Sequence, residues 1–356
     1  MCVGGIAHLS YLLTKREHVL NAALMFSDQR MLLLARAQPG GRDIASFVQA
    51  HGPEIQSALL EHGAVLLRGF EVRGVEDFAR FIDATGLKRI EYVYRSTPRT
   101  AVGDKIFTAT EYPPQQEILL HNENAYQRDW PLKVAFCCLI PAKSGGATPL
   151  GDMRQITAAI GPRLLERFAE RGVCYVRHYR RHIDLSWQVV FQTQEPELVA
   201  EFCRAEGIAH EWLDSEILRT TQVAHGAAVH PVTAERIYFN QAHLFHVTSL
   251  GSAGAKSLIE LFGADRLPRH ATYGDGAEIA SEDLEQVRSA FRRHEVSFPW
   301  QPGDVLLLDN MQVAHGRRPF RGPRKVLASL LDARSRYGAE GRPIGVPVHH
   351  GEKCER

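Results

Sequence analysis

Apolar positions along the chain switch between two periods, and each switch marks an element. From Asp43 the segment IASFVQAHGPEIQSALLEHG places its apolar residues at helical spacing, and AVLLRGF (64–70) follows as a short apolar run closed by glycine, the pattern of a buried strand. A further helix is predicted over Val75–Thr85, where Phe78, Phe81 and Ile82 share one face. Between Tyr92 and Leu120 the chain turns polar and carries Pro113-Pro114, which predicts a loop and edge strands. VAFCCLI (134–140) then has the length and content of a buried strand, and KSGGAT (143–148) is a glycine turn into another. Residues 153–172 return to the helical period, with Ile156, Ile160, Leu164, Leu165 and Phe168 as the buried stripe.

The middle of the chain mixes short strand-like runs (CYVRHY, AAVHPV, RIYFNQ) with helix-like EPELVAEFCRAEG, and reads as an insertion at about 174–295. Ser281 is placed to cap a helix through Arg293 with Leu284, Val287 and Phe291 aligned, after which FPWQPGD turns the chain into a buried strand, Val305–Leu308. A final strand is expected at 326–333. Residues 1–40 show no clear period and end in the turn-forming AQPGGRD, so the expected organisation is an extension (1–40), one domain (41–340) and a tail (341–356).

Composition narrows the class. The 356 residues are 44% hydrophobic and 23% charged with a formal charge of +1, an ordinary globular balance with no electrostatic footprint for nucleic acid or an anionic membrane. No apolar run approaches the roughly 18–20 residues of a spanning helix. The six cysteines (Cys2, Cys137, Cys138, Cys174, Cys203, Cys354) show no CxxC pair, which predicts reduced thiols and a cytoplasmic protein. Cys137 and Cys138, on opposite faces of a buried strand, read as core.

The candidate chemistry lies in two distant stretches. His121 and Glu123 are two apart, so on an extended segment both side chains point to one face. With His315 after the Val305–Leu308 strand they make two imidazoles and a carboxylate, the facial triad of non-haem iron(II) oxygenases. Alone, an HxE pair says little in a chain with 17 histidines and 41 acidic residues. Its company says more: Thr148 after the glycine turn and Arg324 after His315 are the hydroxyl and guanidinium that would hold the distal carboxylate of 2-oxoglutarate. Arg317, Arg318, Arg321 and Lys325 surround Arg324 and divide between a solvated loop and a role beside a bound dianion. Asp309 and Asn310 either orient the His315 imidazole or form an Asx turn. Two other pairs compete for a metal: His178/His182 reads as a solvated basic stretch, and His243/His246 as satisfied histidines, because neither has a third ligand in sequence.

With these residues in place the chain resembles the taurine dioxygenase-like iron(II)/2-oxoglutarate oxygenases, and within them the branch typified by the syringomycin-pathway aspartyl hydroxylase. The likeness covers about Asp43 to Asp332 and is carried by TEYP (110–113), LHNENAY (120–126), GGATPLGDMR (145–154), HPVTAERIYFNQAHLFH (230–246) and FPWQPGDVLLLDNMQVAHGRRPFRGPRK (298–325). It implies a mainly β fold with flanking helices around a double-stranded β-helix (jelly roll). It also implies iron bound by His121, Glu123 and His315, 2-oxoglutarate bound by Thr148 and Arg324, and O2 as co-substrate. The family usually has HxD where this chain has HxE, and its arginine usually lies further from the second histidine, with Lys325 or Arg334 as substitutes for Arg324. A retained carboxylate argues against a halogenase.

By the same resemblance the reaction is hydroxylation of an unactivated C–H bond in an amino acid or derivative, free or tethered to a peptidyl carrier protein, in specialised metabolism. Glu111, Asn122 and Arg318 are the expected polar contacts to substrate. The rival readings are desaturation or cyclisation at the same centre, a non-catalytic cupin-like barrel that binds metal without turnover, and a zinc hydrolase, which would need a general base beside the open site.

Overall fold

The computed structural model describes residues 20–26, 30–92, 94, 96–97, 99–181 and 183–335. Strands β1 (Ala22–Phe26) and β2 (Met31–Arg36) precede helices α1 (Ile44–Ala50) and α2 (Gly52–His62), strand β3 (Ala64–Arg68) and helix α3 (Val75–Thr85). Next come β4 (Ala101–Gly103), β5 (Ile106–Thr108), β6 (Ile118–His121), β7 (Asp129–Ile140), β8 (Ser144–Gly145) and β9 (Thr148–Asp152), then α4 (Met153–Ile160) and α5 (Pro162–Arg171). The middle holds β10 (Val173–Tyr179), α6 (Trp187–Phe191), α7 (Pro196–Glu206), β11 (Ala209–Trp212), β12 (Leu218–Ala224), β13 (Ala227–Val229), β14 (Arg236–Tyr238), α8 (Ala242–Phe245), α9 (Gly251–Phe262), β15 (Arg269–Tyr273) and α10 (Ser281–Arg293). The chain closes with β16 (Glu295–Phe298), β17 (Val305–Asp309), β18 (Val313–Arg317), β19 (Phe320–Arg321) and β20 (Lys325–Ser335).

Two sheets face each other. The larger runs β1-β2-β3-β17-β7-β20-β5-β4 and the smaller β16-β9-β18-β6. Between them Phe136, Cys138, Leu306, Leu308 and Leu330 of the first sheet pack on Leu150, Phe298 and Val313 of the second. This is the jelly-roll arrangement. Because side chains alternate along a strand, Val65, Leu67, Cys137 and Leu307 point the other way, onto Ile44, Val48, Leu59, Phe78, Phe81 and Ile82 of α1–α3. Strands covered on both faces read in sequence as unbroken apolar runs, hence VLLL and VAFCC. Each fully buried phenylalanine of α3 contributes about 1.5–3 kcal/mol of transfer free energy.

The middle of the chain builds a four-stranded antiparallel sheet, β11-β12-β10-β15. Its Tyr175 and Tyr273 join Phe245 of α8, Phe291 of α10, and Leu120, Tyr126 and Met153 from the metal-bearing side in one cluster. The back of the candidate site is thereby built from both parts.

Several elements depart from the sequence reading. Met31–Arg36, placed in the extension, lies inside the main sheet, hydrogen-bonded in parallel to β3, because its apolar run is a buried strand. The expected helices at 43–62 and 153–172 are each two, broken at Gly52-Pro53 and Gly161-Pro162, where proline stands in the first turn of the second helix. Ser281 is the first helical residue and makes no cap hydrogen bond; Ala280 holds the cap position. Residues 1–19, the tail 341–356, His182, Cys2 and Cys354 lie outside the described residues. Cys137, Cys138, Cys174 and Cys203 are buried, and burial raises the Cys138 thiol to about 12, the behaviour of core residues. Among the described residues no helix is long and apolar enough to cross a membrane.

Candidate active site

The site is assembled where the small sheet runs out at its β6 edge. His121 ends β6 and lies directly opposite His315 in the antiparallel register with β18, their rings 4.7 Å apart. Close approach of the two strands depends on Gly316: a Cβ there would sit 2.4 Å from the Ile118 carbonyl oxygen. His315 thus stands on a strand, after a tight turn from β17, and the ring of Phe136 packs on it at 5.1 Å.

Glu123 is presented by a turn beyond β6, so strand alternation does not explain its aim. Asn310 does. Its side chain accepts from the Glu123 N–H at 2.7 Å and donates to the carbonyls of Glu123 at 2.9 Å and Pro131 at 2.8 Å. Asp309 makes the Asx turn instead, accepting from the N–H groups of Met311 and Gln312, while its second oxygen takes Lys133 Nζ at 2.6 Å and faces His230 Nε2 at 3.0 Å. Asp309 therefore shapes the β17–β18 connection and makes no contact with the His315 ring.

The three side chains converge. One donor atom from each of His121, Glu123 and His315 lies within 4.8 Å of the others, and Glu123 Oε2 is 3.6 Å from His315 Nε2. Two donors bound to one metal at about 2.0–2.2 Å stand roughly 3–3.5 Å apart, so the Glu123–His315 pair already has close to the spacing that a shared ion requires. His121 Nδ1 lies 2.8 Å from the Leu119 carbonyl oxygen and donates to it, which leaves the Nε2 lone pair available.

Electrostatics favours a cation. Burial, reinforced by the neighbouring His315, pushes the His121 imidazole down to about 4, so it is neutral at physiological pH. Burial alone would raise the Glu123 carboxyl; Arg99, donating to Oε2 at 2.6 Å, and the nearby His315 outweigh it and hold the group well below the usual carboxylate range. A neutral imidazole beside an ionised carboxylate is the state in which such residues bind metal. Arg99 escaped the sequence reading because nothing in the polar loop RSTPRT separates it from a solvated arginine.

Beside the trio opens a cleft of about 380 Å³, counting its mouth, lined among others by Arg99, His121, Thr148, His315, Arg317 and Arg324. Arg324 donates through Nε to the Gly146 carbonyl at 3.2 Å and lies over the Phe320 ring at 5.5 Å. Burial and the nearby Arg317 lower it to about 10, still a cation at neutral pH, and among the described residues it forms no salt bridge. Thr148 Oγ1 accepts from Trp300 Nε1 at 2.9 Å, which leaves its own hydroxyl hydrogen to donate. Arg317 is buried, not solvated: it donates to the carbonyls of Thr110, Tyr112, Pro113 and Gln116, fixing the Pro-Pro loop as a cleft wall.

The structure does not bring the expected substrate contacts to the cleft lining. Glu111 is exposed and accepts from Thr108 Oγ1 at 2.7 Å, Asn122 is buried with its amide on the Asn310 carbonyl at 2.6 Å, and Arg318 pairs with Glu117 and Glu295. Lys325 and Arg334 are likewise absent from it. His178 is buried on β10 with Nδ1 2.7 Å from the Leu267 carbonyl, not solvated. His243 stacks on Phe291 and reaches the Leu120 carbonyl at 3.3 Å.

Residues 31–330 match the profile of the taurine catabolism dioxygenase TauD, TfdA family. The chain belongs to the TauD/TfdA family. It is 36% identical over 316 residues to the dapdiamide synthesis protein DdaC of Enterobacter agglomerans, covering 89% of this chain and 95% of that one. It is 34% identical over 287 residues to a clavaminate synthase-like protein of Arabidopsis thaliana, covering 78% and 83%. Among solved structures, a taurine dioxygenase from Burkholderia xenovorans aligns over 89% of this chain and 93% of its own at 15% identity and a TM-score of 0.49.

As a TauD/TfdA enzyme the protein is an iron(II)/2-oxoglutarate-dependent dioxygenase, with O2 as the other co-substrate. The residues fit those groups. The imidazole–carboxylate–imidazole trio is the donor set suited to iron(II) with open positions, and a salt-bridge-free guanidinium beside a hydroxyl donor is suited to a keto acid's distal carboxylate.

Proposed function

We propose that His121, Glu123 and His315 are the iron ligands, that Arg324 and Thr148 hold 2-oxoglutarate, and that the enzyme hydroxylates an unactivated C–H bond of an amino acid or derivative. The observation that carries the proposal is the convergence of the three donor atoms beside a cleft that His121, His315, Thr148 and Arg324 all line. Held by these residues, iron(II) with 2-oxoglutarate would supply the oxidising power to put one oxygen atom of O2 into the substrate, with succinate and CO2 as co-products.

The chain's own residues position the reactants. Arg324 pairs with the distal carboxylate through a guanidinium already oriented by Gly146, and Thr148 adds a hydroxyl donor held in place by Trp300. Arg99 keeps Glu123 ionised by donating to Oε2, the oxygen that also faces His315. Arg317 holds the wall at 110–116, where substrate would enter. Phe136, Ile118 and Val326 give the cleft an apolar side that excludes water.

Similarity to a dapdiamide synthesis protein supports a place in a biosynthetic pathway, and the resemblance to an aspartyl hydroxylase supports an amino-acid substrate, free or carried on a peptidyl carrier protein. In this reading residues 41–340 form one oxygenase unit with 174–295 inserted, working in the cytoplasm. Glu111 and Arg318 reach substrate only if the 108–117 loop and the Glu117–Arg318–Glu295 cluster rearrange around it.

The test is decarboxylation of 2-oxoglutarate to succinate without substrate. His121→Ala and Glu123→Ala should each abolish it while circular dichroism stays that of the native chain; undiminished succinate from both would remove the ligand assignment. Offering amino acids free and loaded on a carrier protein then separates the two substrate forms by which one raises succinate formation.

A further inference from the structure

A second group of two imidazoles and a carboxylate converges away from the cleft: His246, His270 and Glu278. His246 closes α8 and accepts from the Thr248 N–H of the following turn, His270 stands on β15, and Glu278 lies in the 274–280 segment that joins β15 to α10. None of them contributes to the chemistry above, and His246 finds partners here that its neighbour His243 does not provide.

The distances suit a metal ion. Nε2 of His246 and Nε2 of His270 lie 3.7 Å and 3.5 Å from the same Glu278 oxygen, and the two rings are 4.5 Å apart. Donors at about 2.0–2.1 Å from a zinc ion, near tetrahedral angles, are roughly 3.3 Å apart, so a cation enters with displacements of a few tenths of an ångström. At the iron site the equivalent nitrogen–oxygen separation is 3.6 Å. The two sets are metrically alike.

The supports are already fixed. The 274–280 segment is held by the Ala277 carbonyl accepting from the Tyr273 N–H and the Tyr273 carbonyl accepting from the Gly276 N–H, both at 2.9 Å, and Ile279 is buried beside Glu278. The His246 backbone N–H donates to the Ala242 carbonyl at 2.9 Å. On the side away from Glu278, His246 Nδ1 lies 2.8 Å from Thr248 Oγ1, while His270 Nδ1 accepts only a long 3.4 Å contact from the Val247 N–H. Loading a metal on both Nε2 atoms moves each ring's proton to Nδ1, which gives up two long contacts, from the Val247 N–H to His270 and from the Thr248 N–H to His246 at 3.3 Å, while His246 Nδ1–H donates to Thr248 Oγ1. Arg288 is the nearby cation, but its guanidinium is engaged by the His243 carbonyl and Thr248 Oγ1. Glu278 is 72% exposed, so an ion arrives from solvent and water completes its shell.

We propose that His246, His270 and Glu278 form a second divalent-cation site, of zinc-like preference, that clamps α8 to β15 and to the 274–280 segment. Two neutral imidazoles and one carboxylate are donors that zinc accepts in tetrahedral geometry, with one position left for water. The clamp has a mechanical target: three residues before His246, His243 packs against the Leu120 carbonyl, the residue next to His121. Fixing α8 therefore fixes the back of the strand that carries the first iron ligand.

The experiment uses the full chain with the iron site disabled by His315→Ala, dialysed against zinc and analysed for bound metal. About one equivalent should remain bound, and adding Glu278→Ala, or His246→Ala with His270→Ala, should lower zinc affinity at least about tenfold and abolish the zinc-dependent rise in melting temperature. Glu278 is exposed, so its replacement tests binding even where the histidine changes weaken the fold. Zinc uptake that is the same with and without Glu278→Ala, or no uptake at all once His315 is gone, would overturn the proposal and leave the cluster a hydrogen-bonded one.

Discussion

Replacing Asn310 by alanine probes how the turn that carries Glu123 is held. The side chain is fully buried and satisfies three backbone groups: the Glu123 N–H, the Glu123 carbonyl and the Pro131 carbonyl, at 2.7–2.9 Å. A buried polar group that loses its partner costs about 1–3 kcal/mol, so three such groups at the low end, with water entering the vacated space, cost about 3 kcal/mol. That is a large share of the roughly 5–15 kcal/mol that holds a domain together. Urea unfolding should show a lower midpoint with an unchanged slope. In buffer without urea the surviving folded fraction should bind iron(II) about 10–100-fold more weakly, because a partner that aims a ligand is gone. Asn310→Asp, which keeps the acceptor for the Glu123 N–H but sets a buried carboxylate oxygen against the Glu123 and Pro131 carbonyls, should destabilise at least as much as alanine. A loss under about 1 kcal/mol together with unchanged iron affinity would refute the reasoning.

Gly146→Ala should raise the 2-oxoglutarate requirement and leave iron content unchanged. Its φ of +71° strains any side chain, and a Cβ would press on Ala142 at 2.9 Å, Phe320 at 3.1 Å and Arg324 Cδ at 3.2 Å; an unaltered KM for 2-oxoglutarate would separate Arg324 from that role. Asp309 gives the chain an acid limit: burial would raise its carboxyl, but His230 and Lys133 outweigh burial and lower it below its ordinary 3.8. A depressed folded value means this stabilisation is complete above about pH 4 and is lost as pH falls through the folded value, so Asp309→Asn should flatten the acid side of a stability–pH curve. A curve of unchanged steepness would contradict that.

Much of this was legible in residue patterns because the strands and helices bury whole faces. Val75–Thr85, the β17 run and the Cys137/Cys138 alternation follow from period alone, since a misplaced apolar side chain there would be left in water. The proposed ligands His121, Glu123 and His315 were legible as residue types but not as geometry: Glu123 leaves the strand and is aimed by Asn310, a contact 187 residues apart in sequence. Contacts of that range leave no local signal. The same holds for Arg99 on Glu123 and for Arg317, whose four carbonyl partners make it a wall residue though its neighbours look solvated. Asn122 and Arg318 lie off the cleft lining for the converse reason: a polar residue near the proposed ligands in sequence can find its partners in the core or in a neighbouring ion pair once the turn forms.

The most direct measurement of the central claim is anaerobic addition of iron(II) and 2-oxoglutarate, followed by visible absorption. The wild-type chain should develop the charge-transfer band that the metal and the keto acid produce only when bound together, and His121→Ala, Glu123→Ala and His315→Ala should each lose it. A band of full intensity in any of the three folded variants would show that the metal sits elsewhere.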